Sequence, residues 1–75
     1  MNTIMSKETL EFVIYMIHAC ARKWRRSPAT VYHTLSEVNC ITDYLVPHYE
    51  ILHTQGTEFV VTDIEEYIGA RGVTV

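Results

Sequence analysis

The stretch Leu10-Glu11-Phe12-Val13-Ile14-Tyr15-Met16-Ile17-His18-Ala19-Cys20-Ala21-Arg22-Lys23-Trp24 decides the fold of this chain. Apolar residues recur at Leu10, Val13, Ile14, Ile17, Ala21 and Trp24, the spacing of one helix face. At about 100° per residue these six fall within an arc of about 100°. Phe12, Met16, Ala19 and Cys20 widen that arc to roughly 220°, and only Glu11, His18, Arg22 and Arg25 form a polar stripe. A helix this apolar must be covered on most sides. Just upstream, Ser6 is a suitable N-cap and Glu8 suits the positive end of the helix dipole. Downstream, Arg22, Lys23, Arg25 and Arg26 crowd the last turn, where cations favour the exposed carbonyls.

Moving outward toward the C-terminus, Ser27-Pro28 is a helix start signal, with Ser as N-cap and Pro at the first helical position. Val31, Tyr32, Leu35 and Val38 predict one apolar stripe on a second helix over about 28–38, and Asn39 suits a left-handed stop. Thr42 or Asp43 could cap a third helix carrying Tyr44, Leu45, His48, Tyr49, Ile51 and Leu52. Pro47 is compatible with its first turn, or divides a short turn at 42–46 from a helix at 47–54. Gly56 reads as its C-terminal cap. Phe59-Val60-Val61 favours strand by propensity, so the state of Thr57–Val61 is open between helix and strand. Thr62-Asp63-Ile64-Glu65 reads as a capping box that opens a last helix over 63–70, with a helical turn at 57–61 before it. The expected fold is therefore all-α: a bundle of four helices around a long apolar first helix, in one domain over 1–75 with its ordered core at about 6–71.

Composition narrows the function. A 75-residue chain buries only about 60% of its unfolded surface, and small domains need a dense core or a partner to compensate. The 48% hydrophobic content supplies such a core. Net charge of −3 weighs against nucleic acid, which needs a basic footprint. The longest apolar run, Phe12–Ile17, is far shorter than the ~20 residues that span a bilayer. Met1–Lys7 lacks the pattern of a signal peptide. Cys20 and Cys40 among apolar neighbours read as free, buried thiols of a reducing compartment, which predicts a cytoplasmic protein without membrane attachment.

Candidate chemistry is sparse. The four histidines and two cysteines show no CxxC, HxxxH or HExxH spacing, so no metal or other cofactor is expected. A cysteine nucleophile needs an accessible electropositive pocket, and four short helices leave little room for a cavity of ~300 Å³ or more. Glu65 and Glu66 are adjacent and diverge on a helix. The chain is expected not to be an enzyme. Helices over 28–38 and 43–54 would outline a helix-turn-helix, yet the second carries Asp43, Tyr44, His48, Tyr49 and Glu50 and no Lys or Arg to meet base edges. DNA binding is the disfavoured alternative, and a structural homodimer is another.

Protein binding is the leading expectation. Five tyrosines and one tryptophan in so short a chain are rich in the residue types of interface hot spots. Any one of Trp24, Tyr32, Tyr44 and Tyr67 could simply fill the core with its polar tip outward. The first helix is harder to cover with three short neighbours, and an uncovered remainder would mark an interaction patch. Tyr15 and Met16 on that helix, together with Tyr49, His53 and Gln55, are the expected partner-binding residues. For His53 and Gln55 the competing explanation is helix-end chemistry: a protonated histidine is favoured near a helix C-terminus, and Gln55 can satisfy loose carbonyls.

Glu11-Phe12-Val13-Ile14-Tyr15, Ser27-Pro28-Ala29-Thr30-Val31-Tyr32, the run Tyr44-Leu45-Val46-Pro47-His48-Tyr49-Glu50-Ile51-Leu52-His53-Thr54-Gln55-Gly56, and Asp63-Ile64-Glu65-Glu66-Tyr67 carry a family resemblance. Across Leu10–Arg71 the chain resembles family 3791 of the domains of unknown function, a set of short bacterial proteins, with Leu-His-Thr-Gln-Gly its most specific part. The resemblance implies neighbouring genes for ADP-ribosyltransferase-like domains. It thereby implies a toxin–antitoxin or similar regulatory pair in which this chain is the neutralising member. It supplies no catalytic or binding residues to carry over.

Overall fold

The computed structural model describes residues 5–75, so the reading of the first four residues lies outside it. Helix α1 spans Lys7–Trp24 and α2 spans Pro28–Glu37. A π-helical turn at Ile41–Leu45 leads to the one-turn helix α3 at Tyr49–Leu52, and α4 runs Thr57–Gly69. The described residues contain no strand, and the chain is all-α as expected.

Local chemistry sets the first two helices. Ser6 Oγ accepts from the Thr9 amide at 3.1 Å, and Ser27 Oγ does the same for Thr30 at 3.1 Å. Each satisfies one orphan donor of a helix start. Helix α1 ends on Arg25 with φ 58°, and the Arg26 amide reaches back to the Ala21 carbonyl at 3.0 Å, the pairing of a left-handed helix stop. Asn39 adopts φ 57° after α2, the left-handed conformation that asparagine tolerates best among non-glycine residues.

The third element follows the divided alternative, with a turn at Ile41–Leu45 and a helix after Pro47, but the turn is π-helical and the helix is shorter than expected. Proline has no N–H, so the Asp43 carbonyl loses its helical donor at position 47. The backbone widens instead, and Val46 N–H donates five residues back to Ile41 at 2.9 Å. Beyond Pro47 the chain makes a single α-turn, not a helix through residue 54, so the helix-turn-helix outline lacks a long second helix. Gly56 is corrected as well. Its φ of −68° and ψ of 153° are ordinary extended values, and it is the N-cap of α4, not the C-cap of α3.

Helix α4 then begins at Thr57, which resolves 57–61 as helix and places the supposed capping box mid-helix. Burial decides this against β-propensity. Val60, Val61, Ile64 and Ile68 all point into the core at helical spacing. Tyr15 pairs with Thr57 and Trp24 with Glu65, separations of 42 and 41 residues, so α1 and α4 run parallel in nearly constant register.

One core joins these elements: Val13, Met16, Ile17 and Cys20 of α1, Val31 and Leu35 of α2, then Cys40, Leu45, Leu52, Ile64 and Ile68. The apolar arc of α1 is covered except along one edge, where Leu10 and Ile14 each remain 46% exposed instead of facing inward. Tyr32, expected on the buried stripe of α2, is also exposed, because Val31 and Leu35 fill that interface.

Candidate binding groove

Tyr15 lies about 100° around α1 from Ile14, and the residue is 51% exposed. Its hydroxyl is 2.7 Å from Thr57 Oγ1 at the start of α4. That bridge forms a shared wall between two grooves. The larger, about 710 Å³, follows the parallel α1–α4 seam over Ala19 and Val61, with Arg22, Lys23, Glu58 and Thr62 at its sides. The other, about 360 Å³, opens between the first half of α1, α3 and the α3–α4 turn. The expectation that four short helices leave little open volume is corrected by both. The larger opens along the surface seam between α1 and α4, and the smaller opens where the one-turn helix α3 meets the first half of α1.

The smaller groove gathers every residue expected to bind a partner. Met16, 1% exposed, lies beneath it, and Tyr15, Tyr49, His53 and Gln55 line it. Phe12, Glu8, Glu11, Thr57 and Val60 complete the lining. Its aromatic wall is ordered by stacking. Tyr49 and His53 lie face to face at 4.3 Å and 13°. Phe12 meets Tyr49 edge-on at 5.5 Å, an arrangement that ring quadrupoles favour. His53 Nδ1 is 2.7 Å from the Tyr49 carbonyl. A carbonyl only accepts, so Nδ1 is the donor in this contact. This contact with the preceding turn fixes the ring as part of the wall. Sequence reasoning misses Phe12, Glu8 and Glu11 as site residues. It places Phe12 wholly in the core arc, and gives the two glutamates helix-end and solvent roles.

A second polar cluster sits at the other end of the molecule. Glu65 accepts from Trp24 Nε1 at 2.8 Å and pairs with Lys23 Nζ at 2.9 Å. The Trp24 hydrogen bond, with Lys23 adding to it, holds this carboxylate below the usual glutamate range. Tyr44 donates to Asp63 Oδ2 at 2.8 Å, and burial, reinforced by that carboxylate, raises its phenol well above the ordinary value. Tyr67 stacks on Tyr44 at 5.1 Å, and the Arg71 guanidinium caps Tyr67 at 3.5 Å. These contacts fasten α1, the π-turn and α4 together.

The thiols are free and buried. Burial pushes both Cys20 and Cys40 up to about 12, so neither presents a thiolate near neutral pH. No three His, Cys, Asp or Glu side chains converge on a metal-sized site among the described residues. No helix among them is long and apolar enough to cross a membrane.

Fold and groove together define a small all-helical protein with an open, aromatic-walled cleft. The family model for proteins of unknown function DUF3791 matches residues 11–71, and the chain belongs to that family. No curated protein and no solved structure matches it.

Proposed function

We propose that this chain is a protein-binding module that engages its partner through the groove lined by Tyr15, Tyr49, His53 and Gln55 over Met16. The observation that carries the reading is the convergence of these residues, from α1, α3 and the turn after it, on one open aromatic cleft. Aromatic side chains that are already stacked lose little freedom on binding, which suits an interface hot spot. The two buried free thiols fit the reducing, cytoplasmic setting of this reading. The partner we propose is an enzyme encoded beside it, an ADP-ribosyltransferase-like toxin, with this chain as its antitoxin-like or regulatory member. The chain itself binds and does not catalyse.

Co-expression with the neighbouring gene product tests this directly. A complex that survives gel filtration, and that Tyr15→Ala and Tyr49→Ala weaken by about tenfold or more, is the expected result. A wild-type chain that stays monomeric beside that product sinks the reading. A homodimer is a second reading, favoured by the exposed edge Leu10 and Ile14. Sedimentation that stays monomeric up to about 100 μM removes it.

A further inference from the structure

We propose that the groove receives an arginine side chain, presented by a basic segment of the partner protein. The inference rests on the reading of the groove as a protein-binding site and names the chemistry it recognises. Glu8, Glu11, Phe12 and Tyr15 are linked by i, i+3 and i, i+4 steps, so they form one continuous patch on α1. All four line the groove, and no Lys or Arg lines it among the described residues. Lys7 reaches Glu11 only at 4.0 Å, with both side chains largely exposed. Such a pair contributes little and yields to a better donor.

A guanidinium on an aromatic stack already occurs elsewhere in this molecule. At its opposite end a tyrosine stack, Tyr44 on Tyr67, is capped by the chain's own Arg71, 3.5 Å above the ring. In the groove the Tyr49–His53 stack, the Phe12 edge and the exposed Tyr15 repeat the aromatic half of that motif. Glu8 and Glu11 line the same groove and supply carboxylates for a cation on those rings. A guanidinium fits better than an ammonium because its flat face stacks on rings while its edge donors reach carboxylates.

The test is an NMR titration of the whole chain with acetyl-Gly-Gly-Arg-Gly-Gly-amide, alongside the Lys and Ala versions of that peptide. The expected result is saturable movement of the Tyr15, Tyr49 and His53 signals with the Arg peptide, about fivefold weaker with Lys and absent with Ala. The double variant Glu8→Gln/Glu11→Gln, its fold checked by circular dichroism, should weaken Arg binding by about fivefold or more. Equal response to Arg and Ala, no saturable shift by about 10 mM peptide, or indifference to the double variant overturns the proposal. Capture of the neighbouring gene product separates the two levels. Capture lost in both Tyr49→Ala and the Glu8/Glu11 double variant supports the arginine. Capture lost in Tyr49→Ala but kept by the double variant overturns the arginine and leaves the protein-binding reading standing. No capture by wild type sinks the protein-binding reading, while the peptide titration still decides the guanidinium site.

Discussion

At the residue scale, the Glu65 carboxylate is the tie between the C-terminal end of α1 and α4, through Trp24 at 2.8 Å and Lys23 at 2.9 Å. Its pKa is lowered on folding, so its contribution to stability is complete above the unfolded glutamate value of about 4.3. That contribution is lost as pH falls through the lower folded value. Trp24 is the only tryptophan, so its fluorescence should report this protonation as an acid-side step. Glu65→Gln should abolish the step and cost about 1 kcal/mol at neutral pH; an unchanged acid titration in that variant would show that the carboxylate is not on the indole. The thiols shift the other way. Folding raises both cysteines from 9.0 to about 12, so stability is undiminished below about 9 and declines as pH rises toward 12. A thiol reagent at about pH 8 should therefore leave native Cys20 and Cys40 intact and label both in denaturant. Rapid labelling of the native protein would contradict their burial.

At the element scale, the N-terminus of α4 is the point on which the sequence reading erred and the easiest to test. Gly56 has extended backbone angles, no side chain to cap Thr57–Phe59, and open space where a Cβ would go. Gly56→Ser should add a capping oxygen and reduce the freedom of the unfolded chain, a gain of about 0.5–1 kcal/mol. In thermal melts that is a rise of several degrees, at roughly 4–8 °C per kcal/mol for a domain of this size. Had Gly56 been a left-handed stop for α3, the same change would lower the midpoint. The caps at Ser6 and Ser27 were legible because a cap depends on residues within one turn. The π-turn before Pro47 was half legible: the missing donor could be read, but not how the backbone would close around it.

At the scale of the whole molecule, a chain of 75 residues has a stability of about 4–11 kcal/mol, so one core side chain is a large share. Leu45, completely buried at the junction of the π-turn with the helices, is the sharpest probe. Leu45→Ala should cost about 2–5 kcal/mol, and denaturant unfolding should show a midpoint reduced by a third or more. A loss below about 1 kcal/mol would mean that the π-turn is not part of the core. The groove belongs to this scale too. Tyr15 and Gln55 are far apart in sequence, and only the packing of α3 and α4 against α1 puts them in one cleft.

By itself the sequence determined the all-helical class, the extent of α1 and α2, their caps and the burial of both cysteines. Those features rest on periodicity and on chemistry within a few residues. The tertiary structure alone decided that Thr57–Val61 is helix, because Val60 and Val61 gain more from the core than their β-propensity costs. It also decided that Asp63 and Glu65, which look like a local cap, instead bind Tyr44 and Trp24 across the molecule. And it alone brought Glu8, Glu11 and Phe12 beside Tyr49 and His53, since the contacts that make a groove lie between elements, where no local spacing records them.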